Sequence, residues 1–299
     1  MEAGRSREPE VCASCGERAC HFAEPTCRAC GAVVRYPPNV QIAMDAGQTA
    51  ALERRYQTAR RSAEERQLSA LFSELERLAA AASAVVNVGV GYAHHFLARD
   101  NELYAPYAKQ VQAATRSPAA FDDHRRRLAV DTAIYAGHGS EITFAALTAD
   151  DQGLPSYGPV HLLLKEAAIA RRASVLEENS FTFVRRHNVV SGDPPPAGYL
   201  AIWPDRGRLA ATKLEPSLAQ DHQPEHLPRL LLRSEGDRGT DDFLEVHIYG
   251  TFNWQAVREV RAPAPSRLPT PEDRTLLEAA EVAAAAKSVR WHAHEHRMD

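Results

Sequence analysis

The chain lacks several features that would define its class at once. No apolar run reaches the length of a membrane-spanning helix, and the longest candidate, residues 78–90, contains Ser83, Asn87 and Gly89. The net charge of −4 argues against a globally basic nucleic-acid-binding protein. Residues 1–11 are charged and hold no apolar segment of the kind found in signal peptides. The sequence therefore predicts a cytoplasmic protein that makes no membrane contact.

The motifs of several common enzyme classes are also absent. The chain contains no GxGxxG, GxSxG or HExxH pattern, and no GxxxxGK followed by Ser or Thr. These absences argue against a Rossmann dehydrogenase, an α/β-hydrolase, a zinc metalloprotease and a P-loop ATPase. With 299 residues, 44% of them hydrophobic, the chain can form one sizeable globular domain with small appendages.

Cysteine is scarce, and four of the five cysteines form two CxxCG pairs near the N-terminus: Cys12, Cys15, Cys27 and Cys30. Two thiolates on one tight turn supply half of a tetrahedral Zn²⁺ site, and the second pair completes it. The glycine after each pair permits a positive φ, which lets backbone amides point at sulfur. Because four cysteines leave no open coordination position, we predict a structural zinc ribbon over residues 1–35.

Two alternatives concern these cysteines. The four could form two disulfides, although the spacing is more typical of metal-binding turns than of a disulfide scaffold. Cys20 could replace one of the four ligands, but we favour it as a bystander thiol. In either case the short ribbon has almost no hydrophobic core, so we expect metal binding to provide most of its stability.

The rest of the chain divides into three predicted segments, a helical region at 36–135, an α+β domain at 136–262, and a linker with a C-terminal helix at 263–299. In the first, apolar residues recur at helical spacing from residue 68 to residue 78. In the second, short strand-like runs alternate with Gly and Pro turns and show no βαβ rhythm, which predicts an α+β fold with a largely antiparallel sheet. In the third, Thr270 and Pro271 are typical of a helix start.

Individual elements follow from the same patterns. Beyond the helix at residue 68, we predict helices at 92–97, 104–114, 121–135 and 272–291, whereas the run 84–88 is ambiguous between helix and strand. The predicted strands lie at 142–144, 160–164, 173–176, 181–184, 199–203, 230–232 and 246–249. In the last strand, Glu245, His247 and Tyr249 should project from one face and Val246 and Ile248 from the other, so that the polar face could line a cleft.

Three segments, residues 156–165, 172–180 and 241–250, resemble bacterial ADP-ribosyltransferase-like toxin domains and an uncharacterised bacterial family related to them. The similar features are a Tyr-Gly entry into a strand, an Arg-Ala strand that leads to an acidic-x-Ser turn, and a late Glu that opens a strand ending in Gly. The resemblance covers about residues 136–262, less than half of the chain.

The resemblance implies that the chain transfers ADP-ribose from NAD, as co-substrate, to a protein or nucleic-acid acceptor. Glu245 then matches the catalytic glutamate, which binds the nicotinamide ribose and stabilises an oxocarbenium-like transition state. Ser180 matches the serine that lines the NAD cleft, and Tyr157 lies at its entrance. His138 and Arg206 are further candidates for NAD contacts, Arg206 at the pyrophosphate. This chemistry needs a carboxylate near the developing positive charge and donors for the diphosphate.

Two other functions remain open at this point. The first is a non-enzymatic zinc-ribbon protein that binds nucleic acid or a protein partner. The second is a degenerate transferase fold that binds a partner and has lost its chemistry. A deep cleft lined by Glu245, Ser180 and Tyr157 would favour the enzyme, whereas a flat basic face near Arg28 and Arg35 would favour the non-enzymatic protein.

Overall fold

A computed structural model gives the fold of most of the chain. The described residues are 12, 14–16, 24–113, 129–130, 132–135, 137–190 and 195–294. Cys20 and the first part of the helix predicted at 121–135 lie outside them.

The helices lie on both sides of a central sheet. In the first half of the chain they are α1 (Pro38–Ala43), α2 (Ala46–Glu65), α3 (Ser69–Ala81), α4 (Val90–Ala98) and α5 (Tyr107–Gln112). In the second half they are α6 (Glu166–Ile169), α7 (Ser180–Arg186), α8 (Arg206–Leu214), α9 (Leu227–Leu231) and α10 (Pro271–Ala286), and residues 132–135 are helical as well. No helix within the described residues combines the length and apolarity that crossing a bilayer requires.

The strands are β1 (Ser83–Val88), β2 (Ile142–Thr148), β3 (Val160–Leu164), β4 (Ala173–Leu176), β5 (Leu200–Ile202), β6 (Leu232–Arg233), β7 (Asp242–Phe243), β8 (Glu245–Tyr249), β9 (Val257–Pro263) and β10 (Arg290–His294). Eight of them form one sheet in the order β10-β9-β3-β1-β2-β8-β4-β5, and β6 pairs with β7. Every pair in the large sheet is antiparallel except β10 with β9. The predicted α+β fold with a largely antiparallel sheet is confirmed.

The two faces of the sheet carry different cores. One face contributes Val246 and Ile248 to the main hydrophobic cluster, where α3 packs against α8 and α4 against α10. The other face contributes Tyr249 and Leu176 to a second cluster, which also contains Phe183 of α7. The alternation predicted for the strand that starts at Glu245 is therefore present, with the polar positions on the face that the second cluster covers.

The large sheet extends beyond the segment 136–262 in both directions. The ambiguous run 84–88 is strand β1, which lies between β3 and β2 near the middle of the sheet. At the other end, the C-terminal helix begins at Pro271 with the predicted Thr270 cap, whose hydroxyl accepts from Asp273 N at 3.0 Å. The helix stops at Ala286, and the chain then forms the edge strand β10.

Two predicted strands are wrong. Residues 181–184 belong to α7, because the side chain of Asn179 caps the start of that helix by accepting a hydrogen bond from Phe181 N at 3.0 Å. Residues 230–231 end the short helix α9, and only Leu232 begins a strand. Both stretches are rich in apolar residues over a length at which periodicity cannot separate helix from strand.

Candidate functional site

The four cysteines of the two CxxCG turns converge, and their sulfur atoms lie within 4.8 Å of one another. Sγ of Cys12 lies 3.7 Å from Sγ of Cys30, and Sγ of Cys15 lies 3.8 Å from Sγ of Cys27. A tetrahedron with Zn–S bonds of about 2.3 Å has edges of about 3.8 Å. A disulfide needs sulfur atoms about 2 Å apart, so this arrangement fits a tetrahedral metal ion and not two disulfides.

The two metal-binding turns repeat one backbone geometry. Gly16 N donates to Cys12 O, and Gly31 N donates to Cys27 O, both at 2.8 Å. The glycines have φ of +73° and +71°, a region that residues with a Cβ rarely adopt. The predicted role of a glycine after each pair is therefore confirmed. An isolated antiparallel β-bridge pairs Thr26 with Val33 on either side of the second turn.

Backbone amides around the sulfur atoms favour the thiolate form that a metal requires. Ser14 N lies 3.4 Å from Cys12 Sγ, and hydrogen bonding from the backbone of this turn lowers the pKa of the Cys12 thiol to about 6. The amide of Cys30 likewise lowers the pKa of Cys27. Cys12 and Cys27 are buried in a cluster that otherwise holds little more than Val34. Because the core formed by the described residues is so small, a metal ion bound by the four cysteines would provide most of the order of the ribbon.

Arg171, which follows α6, contacts the ribbon and joins it to the rest of the fold. We call this remainder, from residue 37 onward, the body. Arg171 Nη2 donates to Val34 O at 3.3 Å, and its guanidinium carbon lies 4.5 Å from the centre of the Tyr36 ring. Beside this contact is an open groove of about 550 Å³ between the ribbon and the body. We call it the ribbon groove, and it is lined chiefly by Val33, Arg35, Tyr36, Met44 and Arg171.

The second candidate site centres on Glu245, at the first residue of β8. Its side chain is buried, with 6% of the residue exposed. Its Oε2 accepts from Ser180 N at 2.8 Å and lies 2.9 Å from His247 Nε2, and Asn179 Nδ2 lies 3.4 Å from Oε1. Because an ionised carboxylate only accepts, His247 is assigned the tautomer that donates from Nε2. The carboxylate is thus compensated by donors from α7 and from its own strand.

The network continues away from Glu245 beneath α1. With Nε2 of His247 as donor, its Nδ1 accepts from the hydroxyl of Tyr135. The Tyr135 hydroxyl lies 3.4 Å from Ser174 Oγ, which accepts from Asn39 Nδ2 at 3.1 Å. These five side chains therefore form one buried chain of hydrogen bonds from α1 to the start of β8. We call them the glutamate network.

Sequence reasoning found Glu245 and noted His247, but it missed Asn39, Tyr135 and Ser174. Asn39 and Ser174 are 135 positions apart, and Tyr135 and His247 are 112 apart. No short motif could have joined them. The one local signal is a set of polar residues that interrupt otherwise apolar stretches.

The predicted NAD-site residues are distributed over different parts of the fold. Ser180 meets Glu245 through its backbone amide, as described above. Tyr157 packs on a separate cluster, with the Arg238 guanidinium 4.7 Å from its ring centre. His138 precedes β2, which places it beyond the Tyr249 end of β8.

Arg206 lies on the other face of the sheet from Glu245. Its guanidinium stacks on Trp203, a member of the main cluster, and donates to Trp203 O at 2.8 Å. Glu166 Oε1 lies 3.4 Å from its Nη2. Of the predicted NAD-site residues, the structure therefore places Ser180 in direct contact with Glu245.

Comparisons with known proteins add no identification. No protein-family model matches the chain, and a search of curated proteins finds no match. The resemblance to ADP-ribosyltransferases therefore remains a hypothesis that rests on the sequence segments alone.

Proposed function

We propose that this chain is a non-enzymatic zinc-ribbon protein that binds a macromolecular partner, specifically a protein, through the ribbon and the adjoining surface. The proposal rests on one observation, the position of the four-thiolate ribbon. Arg171 fixes the ribbon to the body, and the groove between them leaves apolar side chains exposed. A closed tetrathiolate site has no position at which a metal could perform catalysis, so a recognition role suits it best.

The charges of the ribbon favour a protein partner over a nucleic acid. Arg28, one of the two arginines expected to form a basic face, is paired with Glu24, its Nε lying 2.7 Å from Oε2. Arg35 remains as a charge without an ion pair among the described residues. Nucleic-acid affinity grows with the number of phosphates that a surface neutralises, and the one or two guanidinium groups at this surface within the described residues provide few such contacts.

The proposal is tested by comparing the full-length protein with a Cys15→Ser/Cys30→Ser variant. We expect about one zinc per wild-type chain and none in the variant, measured by elemental mass spectrometry. A benzophenone amino acid introduced at the exposed Val33 in both proteins should give protein photocrosslinks in a nuclease-treated lysate when the four cysteines are intact and lose them in the variant. Arg77→Ala, at an exposed ion pair on α3, is the matched control and should keep both the zinc and the crosslinks. Crosslinks that persist without zinc, or that vanish with nuclease, would contradict the proposal.

A second candidate is the ADP-ribosyl transfer that the sequence resemblance implies. It is favoured by the contact between Glu245 and Ser180, the two residues matched to the glutamate and serine of the NAD cleft. NAD would reach Glu245 only after the residues that cover it move, since 6% of this residue is exposed. Incubation with labelled NAD tests it. A labelled macromolecule formed by wild type and not by a folded Glu245→Gln variant would support transfer, and absence of NAD binding by calorimetry would remove it.

A further inference from the structure

We propose that the ribbon groove binds an extended peptide segment in which an apolar side chain is flanked by carboxylates. This inference rests on the proposed function, because it names the chemistry of the partner at the same surface. Three observations carry it: the exposed apolar residues, the positive charge of the arginines beside them, and the presence of a single aromatic side chain among the described lining residues.

The apolar residues of the groove are unusually exposed for their type. Val33 is 82% exposed, Met44 45% and Tyr36 36%. Val33 belongs to the ribbon, Met44 to the end of α1, and Tyr36 to the segment between them. Apolar residues from two structural units thus face one open groove of about 550 Å³. A surface of this kind takes an apolar anchor residue of a partner.

The charge of the groove specifies the residues that flank the anchor. Among the described residues, Arg35 and Arg171 are its charged lining residues, and no described carboxylate lines it. Neither guanidinium has an ion pair within the part of the chain that the structure describes. By contrast, Arg28, Arg55 and Arg66 are each paired with a glutamate. The Arg171 guanidinium donates to Val34 O and to the Tyr36 hydroxyl, so Arg35 is the group that can take a carboxylate in bidentate geometry, and Arg171 adds a second positive charge beside it.

The same lining argues against single-stranded nucleic acid as the occupant. Such ligands bind where several aromatic side chains offer faces for successive bases. Tyr36 is the aromatic residue lining this groove, and the Arg171 guanidinium lies over its ring. Aliphatic surface comes from Pro25, Val33, Val34 and Met44, and Gln41 also lines the groove. A peptide with an apolar side chain and neighbouring Asp or Glu fits this combination better.

The test uses the full-length, zinc-loaded protein and a phage-displayed library of random dodecapeptides. We expect the selected peptides to share an apolar residue flanked by Asp or Glu. Affinities of a synthetic peptide of the selected sequence are then measured by fluorescence anisotropy. Arg35→Glu and Met44→Glu should each weaken binding about tenfold or more, because they reverse a charge and place a carboxylate in the apolar surface. Arg28→Glu is the matched control, and its affinity should stay within about twofold of wild type.

Several results would overturn the inference. These are selected peptides rich in Lys and Arg, peptides whose binding Arg35→Glu and Met44→Glu leave unchanged, failure to select any peptide, or tighter binding of a single-stranded oligothymidylate than of the selected peptide. The proposed function fails separately, when the zinc-free Cys15→Ser/Cys30→Ser variant keeps its protein crosslinks. Loss of those crosslinks together with a failed peptide selection would therefore remove the groove inference and leave the zinc-dependent partner in place.

Discussion

The ribbon and the glutamate network both bring polar side chains together, but they do so by opposite means. The ribbon brings four cysteines together from two short turns near the N-terminus, and its described residues place little buried hydrocarbon around them. The glutamate network assembles residues from distant parts of the chain, and the second hydrophobic cluster covers it. In the first region a bound metal ion would create the structure, whereas in the second the packed sheet creates the site.

The difference predicts that the two regions lose structure independently. Removal of a metal ion from the ribbon would leave four cysteine side chains without the ligand that joins them and, within the described residues, with little core to hold them. A polar group removed from the network leaves its partners buried without hydrogen bonds. This loss should lower the free energy of unfolding of the whole sheet. Variants in each region should therefore differ in what they unfold.

The largest expected effect is the loss of zinc from the ribbon. In Cys27→Ser, or in wild type treated with a chelator, we expect the ribbon to unfold, because structural Zn²⁺ binding contributes about 10 kcal/mol or more to such small units. Limited proteolysis should then cut within residues 24–36, while the melting temperature of the body stays nearly constant. A large drop in that melting temperature would show that the two regions are not independent.

Replacing Glu245 tests the opposite region. Glu245→Ala should lower the free energy of unfolding by about 3 kcal/mol, because it leaves Ser180 N and buried His247 without their acceptor. Glu245→Gln keeps an acceptor oxygen and should cost about 1–2 kcal/mol. Urea unfolding measures both, and zinc content should be unchanged. If the alanine variant were as stable as wild type, the network would not stabilise the sheet.

A smaller effect is expected further along the network. Tyr135→Phe removes the hydroxyl that donates to His247 Nδ1, and we expect a loss of about 1–2 kcal/mol. Tyr199→Phe is the matched control, since this tyrosine packs on the same cluster and its hydroxyl makes no hydrogen bond to the described residues. Because both substitutions keep the ring, equal losses in the two variants would indicate a general cost of removing a tyrosine hydroxyl and not the loss of this hydrogen bond.

The smallest effect concerns Glu178, next to the turn that holds Glu245. Burial raises the pKa of this carboxyl, against the nearby charges of Arg186 and Lys213. A raised folded-state pKa means that its contribution favours folding at pH values below the unfolded pKa and is lost as the pH rises through the folded value. Glu178→Gln should therefore be slightly more stable than wild type at neutral pH, and the gap should close in acid. If the stability advantage of Glu178→Gln over wild type grew as the pH fell, the direction of the Glu178 pKa shift would be wrong.

Much of the fold could be predicted from local patterns. The apolar spacing from residue 68 predicted α3, where Phe72 and Leu75 are buried, and alternation predicted the two faces of β8. The strand predicted at residues 181–184 was wrong, because the Asn179 cap starts a helix there and outweighs the strand-like composition. The central position of β1 was also beyond local reasoning, because pairing partners decide it and these lie more than fifty positions away.

The sequence by itself determined the two cysteine turns that could hold a metal, because each CxxCG turn carries its geometry in five consecutive residues and needs no distant partner. It also determined which residues of β8 share a face, since that follows from the pleat of any strand. Only the tertiary structure decided that Glu245 is buried with His247 and Tyr135, and that Arg171 places the ribbon beside an open groove. Those contacts join residues far apart in the chain, and packing free energy, not local conformational preference, brings them together.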